Sequence, residues 1–448
     1  MNRDELLTKI QSGLIDTVQV AAPDMLARLV GKRATGEFFV NDLVNGTTHG
    51  CKYLFTVDME MEPQNGYRLA NWDAGFGDFE MRPDLDAIYL LPWETASALV
   101  FCDFHDHDGS AVEQSPRAIL RRQVERLGRR GLRCNIASEL EFYLFNEDYA
   151  AAAAKGFANL TPSSNYRIDY HMLQPGWDEA IMREIRNTML TAGIPIENSK
   201  GEWGRGQHEI NVTYSDPVTT ADRHVVFKHG TKHIAQTHGK SVTFMAKPFH
   251  GEAGSSCHIH ISLKNEHGNA FWDGASNGPS DLFRQFLAGL MKYSRELCLF
   301  FAPTINSYKR YEAMSWAPTR QAWSTDNRTT GFRVVGHGPS FRIENRMPGA
   351  DANPYLAFAA MMAAGLAGID EGLECSPEYH GNAYIDEKLT TLPGTLREAV
   401  DLFEKSEIAT RSFGADVVEH YVHAARLEVR QFDAAVTDWE RARYFERI

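Results

Sequence analysis

A chain of 448 residues with 43% hydrophobic content can bury a large core, and its length suits two domains. A formal charge of −13, with no Lys/Arg run interleaved with aromatics, argues against nucleic acid as a partner. Six scattered cysteines without a Cys-x-x-Cys pair, a polar start at Met1–Glu5 and no apolar run of membrane-spanning length exclude a disulfide framework, a secretory leader and a membrane span. The expectation is a soluble, cytoplasmic protein.

Residues 1 to about 105 read as a small β-rich unit. Asp16–Ala21 and Gly36–Asn41 alternate like strands, and residues 70–78 form a glycine-rich aromatic loop. Met81-Arg-Pro-Asp84 reads as a turn. Cys102-Asp-Phe-His-Asp-His-Asp-Gly109 invites a metal reading, but adjacent residues seldom point at one ion, so a solvated turn between domains is preferred. Ser115-Pro116 opens a helix with Ile119, Leu120, Val124 and Leu127 on one side and arginines on the other, ending at Gly131.

The next strand, Ile136–Phe145, sends Leu140, Phe142 and Leu144 one way and Glu139, Glu141 and Tyr143 the other. Two carboxylates on one strand face repel unless solvent or a cation intervenes. Residues 150–156 look like a surface insertion, and a helix runs from Asp178 to Ala192 before Gly193. Glu202 and Glu209 follow, with Glu209 and Asn211 opposite Ile210 and Val212; a third helix is expected to start at Thr220-Ala-Asp222. In Gly254-Ser-Ser-Cys-His258-Ile-His260-Ile-Ser262 the two histidines and Ser262 share a face. An oxygen-dominated donor set with a single imidazole suits Mg²⁺ or Mn²⁺ better than Zn²⁺. Asn306–Arg310 reads as a polar loop, and Arg342, Glu344 and Arg346 alternate on one strand, as suits planar contacts to carboxylate or phosphate. Leu356–Ile369 is expected as a buried helix, with Leu396–Lys405 and Ile408–Leu427 as amphipathic ones.

Taken together, Glu139-Leu-Glu141-Phe-Tyr-Leu-Phe, Gly206-Gln-His-Glu209-Ile, Phe244-Met-Ala-Lys247-Pro, Gly254 to Ser262, Asn306-Ser-Tyr-Lys-Arg310, Asn327-Arg328, Arg342-Ile-Glu344-Asn-Arg346 and Ala352-Asn-Pro-Tyr355 resemble the glutamine synthetase superfamily over nearly the whole chain. The resemblance implies an α+β fold: a β-grasp domain over residues 1–109, then a catalytic domain over 110–448 whose antiparallel sheet forms a funnel. It also implies a homo-oligomer, two stacked hexameric rings making a dodecamer, with each site between one subunit's N-terminal domain and its neighbour's catalytic domain. Carried over by position, Glu141, Glu202 and Glu209 hold one divalent metal, and Glu139, His258 and Glu344 hold a second, two or three Mg²⁺ or Mn²⁺ per site. His260, Ser262, Arg333, Arg342 and the Glu197 backbone fall where the family binds ATP. Gly254, Arg310 and Arg346 fall where it binds L-glutamate, and Arg328 faces the transferred phosphoryl group.

Three departures narrow the expectation. Trp316 stands before Ala317-Pro318, where glutamine synthetases proper carry a glutamate that closes over ammonium. The Asp-Gly-Ser-Ser loop that helps bind ammonium is missing, with Asp58 and Asp73 near its place and neither preferred as the base. Lys200-Gly201 replaces a histidine pair, Ala253 replaces an asparagine, and the adenylylation tyrosine is not recognisable. This pattern resembles the γ-glutamylamide synthetases. The expectation is ATP-dependent ligation of L-glutamate to a small organic amine through γ-glutamyl phosphate, methylamine or ethylamine first. The alternatives are glutamine synthetase using ammonia, a polyamine or ethanolamine ligase and, remotely, a non-catalytic scaffold.

Overall fold

The computed structural model describes residues 1–173 and 175–448. Helix α1 (Arg3–Gln11) is capped by Asn2, whose Oδ1 accepts from the Glu5 N–H at 2.9 Å. It packs on a five-stranded sheet in the order β2 (Leu29–Thr35), β1 (Thr17–Pro23), β5 (Ser97–His105), β4 (Asp78–Leu90), β3 (Thr48–Cys51). β1 and β5 run parallel and the other pairs antiparallel. Alternation along β5 divides its burial. Val100, Cys102 and Phe104 face a small core with Phe39, Phe55 and Phe79, while Leu99 and Phe101 join the larger core of the rest of the chain.

The second sheet has the order β14 (Trp323–Thr325), β15 (Phe332–Val335), β16 (Arg342–Asn345), β10 (Cys257–Asn265), β6 (Arg133–Phe145), β8 (Gln207–Val212), β7 (Ile196–Gly201). β9 (Ser241–Thr243) pairs with the end of β6 and β11 (Gly268–Asn269) with the end of β10. Every pair is antiparallel except β14 with β15. The apolar face of this sheet carries Ile136, Leu140, Phe142, Ile210, Cys257, Ile259 and Ile261. Against the sheet and each other pack α3 (Pro116–Gly128), α6 (Pro217–Thr237), α7 (Asp281–Tyr293) and α9 (Pro354–Asp370). α9 is buried from Pro354 to Gly368, as its uniformly apolar sequence requires. No helix among the described residues is long and apolar enough to cross a membrane. The α7–α9 crossing is close: a Cβ on Gly289 would stand 2.1 Å from the Ala364 carbonyl oxygen.

Several expectations are corrected. Gly36–Asn41 is helical, not a strand: Thr35 caps a short turn through the Phe38 N–H at 3.2 Å, and Phe39 and Leu43 bury one helical face four residues apart. Met81–Asp84 is no turn but part of β4, whose register to β5 slips between Pro83 and Ile88; the proline, lacking an N–H, sits where the ladder breaks. Arg117 does not face solvent with the other arginines of α3. Its buried guanidinium meets Asp222, Asp103 and Asp84 at 2.9, 2.7 and 2.7 Å. Asp222 lies inside α6, which starts at Pro217 under an Asp216 cap. Asn306–Arg310 contains a 3₁₀ turn with Ser307 and Arg310 buried. The segment 408–427 is two helices, α11 (Glu407–Phe413) and α12 (Ala415–Ala434), parted at Gly414 with φ 96°.

Candidate active site

Cross-strand register assembles the polar face of the large sheet. Lys200 of β7 pairs with Glu209 of β8, and Glu209 pairs with Glu141 of β6. Glu139 of β6 stands opposite His258 of β10, His260 opposite Glu344 of β16, and Glu344 opposite Arg333 of β15. Directly opposed residues on one face have Cβ atoms about 4.5–5.5 Å apart, so the register alone lays down a transverse stripe of acids, imidazoles and arginine.

Within this stripe lie two clusters. Glu141, Glu202 and Glu209 each offer an oxygen to a set whose members lie within 4.8 Å of one another, and Glu139 and Glu344 with an oxygen and His260 with a ring nitrogen make a second such set. His258 flanks the second set, with Nδ1 3.4 Å from Glu139 and 3.6 Å from Glu344. Glu141 accepts from the Ser256 N–H at 2.9 Å, from the Ser256 hydroxyl and from Gln207 Nε2 at 3.0 Å. Glu202 is ion-paired to Lys200, whose Nζ lies 3.5 Å from Asp169 and 4.5 Å from the Tyr170 ring centre.

The two clusters differ electrostatically. Burial first, and then the neighbouring carboxylates, push Glu141, Glu202 and Glu209 up to about 7. In the other cluster the neighbours win over burial: interactions and hydrogen bonds with His260 and His258 hold Glu139 well below the carboxylate range, and Arg346, with the imidazoles, holds Glu344 at about 2. Burial and the Arg346 charge lower His258 to about 4, leaving its imidazole neutral at physiological pH. Three buried carboxylates sharing one lysine are short of positive charge. Their hard oxygens, with an imidazole-containing set beside them, fit Mg²⁺ or Mn²⁺.

The acids share a cavity of about 540 Å³ with Arg310, Arg328, Arg333 and Arg346. Arg346 pairs with Glu344 at 2.5 Å, and Arg333 with Glu344 at 2.9 Å. Among the described residues, buried Arg310 has carbonyl partners for its terminal nitrogens, Met347 at 2.9 Å and Arg346 at 3.0 Å. Gly254 also lines the cavity; a Cβ there would stand 2.6 Å from both the Ala246 carbonyl oxygen and Arg310 Cγ. At the rim Trp316, 47% exposed with φ 68°, meets Trp203 edge to face with ring centres 5.7 Å apart.

Of the residues singled out from the sequence, Glu139, Glu141, Glu202, Glu209, Gly254, His258, Arg310, Trp316, Arg328, Arg333, Glu344 and Arg346 line this one cavity. Glu197, His260, Ser262 and Arg342 do not line it. Glu197 is exposed at a register slip of β7, and His260 bridges Glu139 at 2.7 Å and Arg342 Nε at 3.2 Å. Asp58 and Asp73 also lie elsewhere. Asp58 accepts from two backbone N–H groups and from Gln64 and Gln431, whereas Asp73 is exposed. Sequence reasoning missed Gln207, Ser256, Trp203, Asp169 and Tyr170 as cavity walls. Gln207 was within reach, since it shares the β8 face of Glu209 and Asn211. The last three come from irregular segments without a periodic signal.

Fold and site define an α+β protein whose large sheet presents two hard-donor clusters to an arginine-walled pocket. The chain belongs to the glutamine synthetase family, whose catalytic domain matches residues 113–444. It is 47% identical over 446 residues to the γ-glutamylethanolamide synthetase GlnA4 of Streptomyces coelicolor, covering 99% of this chain and 96% of that one. It is 37% identical to a glutamate–isopropylamine ligase of a Pseudomonas species, covering 98% and 97%. A solved GmaS/ADP complex superposes with a TM-score of 0.86 at 26% identity, covering 98% of this chain and 99% of that one.

Proposed function

We propose that this chain is an ATP-dependent ligase that joins the γ-carboxylate of L-glutamate to a small primary amine, releasing ADP and phosphate. The observation that carries the reading is Trp316 at the rim of a cavity that also contains the carboxylate clusters and arginines. An indole cannot accept the proton of an ammonium ion, but it packs against an alkyl group or a cation. The named relatives, one acting on ethanolamine and one on isopropylamine, support an organic amine. They add ethanolamine to methylamine and ethylamine as first candidates.

In this reading Arg310, Arg346 and Gly254 hold glutamate, with Arg310 supplying a buried guanidinium that, among the described residues, meets carbonyls rather than a carboxylate. Arg333 and Arg328 face the triphosphate and the transferred phosphoryl group. His260, Ser262, Arg342 and the Glu197 backbone extend towards the nucleotide. Glu141, Glu202 and Glu209 would hold one divalent ion, and Glu139, His258 and Glu344 another, with His260 beside them. When bound, the ions supply the positive charge that lets triphosphate and carboxylate approach each other. The γ-phosphoryl group moves from ATP to a γ-carboxylate oxygen of glutamate, the bond to the ADP oxygen breaking as ADP leaves, and an acyl phosphate results. The amine nitrogen then attacks the acyl carbon, the C–O bond to phosphate breaks, and the nitrogen loses a proton. Arg328 and Arg346 offset the charge that develops on the oxygens.

The reading also divides the chain at about residue 109 into a β-grasp domain and a catalytic domain, supported by the separate small core of residues 6–112. It includes a cytoplasmic dodecamer in which a neighbour's N-terminal domain completes each site. Free cysteines and the exposed loop of Trp72 and Asp73 support that arrangement. Asp73, the less committed of the two aspartates, is then the one available to take the proton of the amine.

The test is incubation with ATP, Mg²⁺, glutamate and single amines, followed by mass detection of the product. The reading expects γ-glutamylamides with stoichiometric phosphate. Fastest turnover with ammonium would make the chain a glutamine synthetase, and no turnover with any amine would make it a scaffold.

A further inference from the structure

Trp203 follows Glu202 directly in the chain, and its backbone N–H donates to Glu202 Oε2 at 3.3 Å. The backbone of Trp203 is thereby tied to the carboxylate cluster. The Trp316 carbonyl accepts from Arg346 Nη2 at 3.3 Å. The rings meet edge to face at an interplanar angle of 65°. Both indoles line the same cavity as Glu141, Glu202 and Arg328. The Arg167 guanidinium covers Trp203 at 4.4 Å, and Lys200 lies over Tyr170 on the same rim.

We propose that Trp203 and Trp316 form the wall of a tail subsite for the amine, and that Arg167 tunes this subsite against amines carrying a second positive charge. This rests on the ligase reading above. An aromatic face attracts a cation, but the nearest two faces, those of Trp203 and Tyr170, already carry resident cations. A distal ammonium therefore meets like charge, whereas an alkyl or hydroxyalkyl tail meets ring edges and apolar surface. The two indoles stand against each other with ring centres 5.7 Å apart, so the subsite favours short tails, and an added methylene discriminates by about tenfold or more. The substrate class is a short, singly charged primary amine. A diamine or polyamine is disfavoured by charge as well as by length.

The experiment measures kcat/KM for ammonium, methylamine, isopropylamine, ethanolamine, n-butylamine and putrescine. It uses the full chain and its Trp203→Ala, Trp203→Phe and Arg167→Gln variants. Ratios between amines cancel any general loss of activity. Trp203→Ala is expected to raise the butylamine-to-methylamine ratio about tenfold, and Trp203→Phe to raise it less. Arg167→Gln is expected to raise the putrescine-to-ethanolamine ratio about threefold, as suits one partly screened charge. Arg167 is exposed, so its variant folds even if Trp203→Ala does not. A wild type that prefers amines to ammonium, with unchanged ratios in the variants that fold, would overturn the subsite. A wild type that prefers ammonium would instead overturn the ligase reading beneath it.

Discussion

Arg346 Nη1 lies 2.5 Å from Glu344 Oε1, and both side chains are only 2% exposed. Glu344 also accepts from Arg333, so one buried carboxylate is balanced by two guanidinium groups. Removing one partner of a buried pair leaves the other uncompensated, a loss of about 3 kcal/mol. Arg346→Met is expected to lower stability by that order in denaturant unfolding and to abolish ligation. The sign with pH follows from Glu344, whose folded pKa of about 2 lies below its ordinary 4.5. Its contribution is full above pH 4.5 and fades towards pH 2, so the stability deficit of the variant should shrink over that range. A deficit that grows on acidification would contradict the pairing.

The Glu141, Glu202 and Glu209 cluster gives the opposite sign. A carboxyl raised to about 7 in the folded state destabilises the metal-free protein increasingly as pH rises from 4.5 to 7. Metal-free Glu141→Gln should therefore gain stability over the wild type above pH 7, on the order of 1–3 kcal/mol, and gain little below pH 4.5. Mg²⁺ or Mn²⁺ should raise the melting temperature of the wild type more than that of Glu141→Gln or Glu209→Gln, and both variants should lose ligase activity. Equal metal stabilisation of all three, measured by melting with EDTA and with added ion, would break the assignment.

Arg328 is exposed and lines the cavity, so its loss should separate chemistry from folding. Arg328→Ala is expected to slow phosphate release by about 10²-fold or more. Its unfolding free energy should stay within about 0.5 kcal/mol of the wild type. A stability loss without a rate loss would remove Arg328 from the site.

Trp316→Glu should raise kcat/KM for ammonium by at least tenfold and lower it for alkylamines, since an acid can take a proton that an indole cannot. The left-handed backbone at Trp316, φ 68°, strains tryptophan and glutamate alike, so the comparison isolates the side chain. Unchanged amine preference would place the amine elsewhere.

Much of the site was legible because its strands are regular and bury one face. Period-two alternation was enough to put Glu139 with Glu141, His258 with His260, and Glu344 with Arg346 on polar faces. Register was not legible, and it is what sets Glu141 beside Glu209 and His260 beside Glu344. Arg117 misled because its acidic partners Asp84 and Asp222 come from distant elements, so a helix face that looked solvated is buried. Pro83 misled because a proline at a register slip has the same local signature as a turn. Trp203 and Arg167 lie outside regular elements, where spacing carries no facing information.

The central claim is that this carboxylate-activating site delivers glutamate to an organic amine. The most direct measurement is a competition in one vessel, with ammonium and ethanolamine at equal concentration together with ATP, Mg²⁺ and limiting glutamate. The initial ratio of γ-glutamylethanolamide to glutamine reads the ratio of kcat/KM directly, and the same vessel repeated with methylamine and isopropylamine ranks the tails. The account predicts that at least one organic amine outcompetes ammonium by tenfold or more. Glutamine as the dominant product in every competition would contradict it.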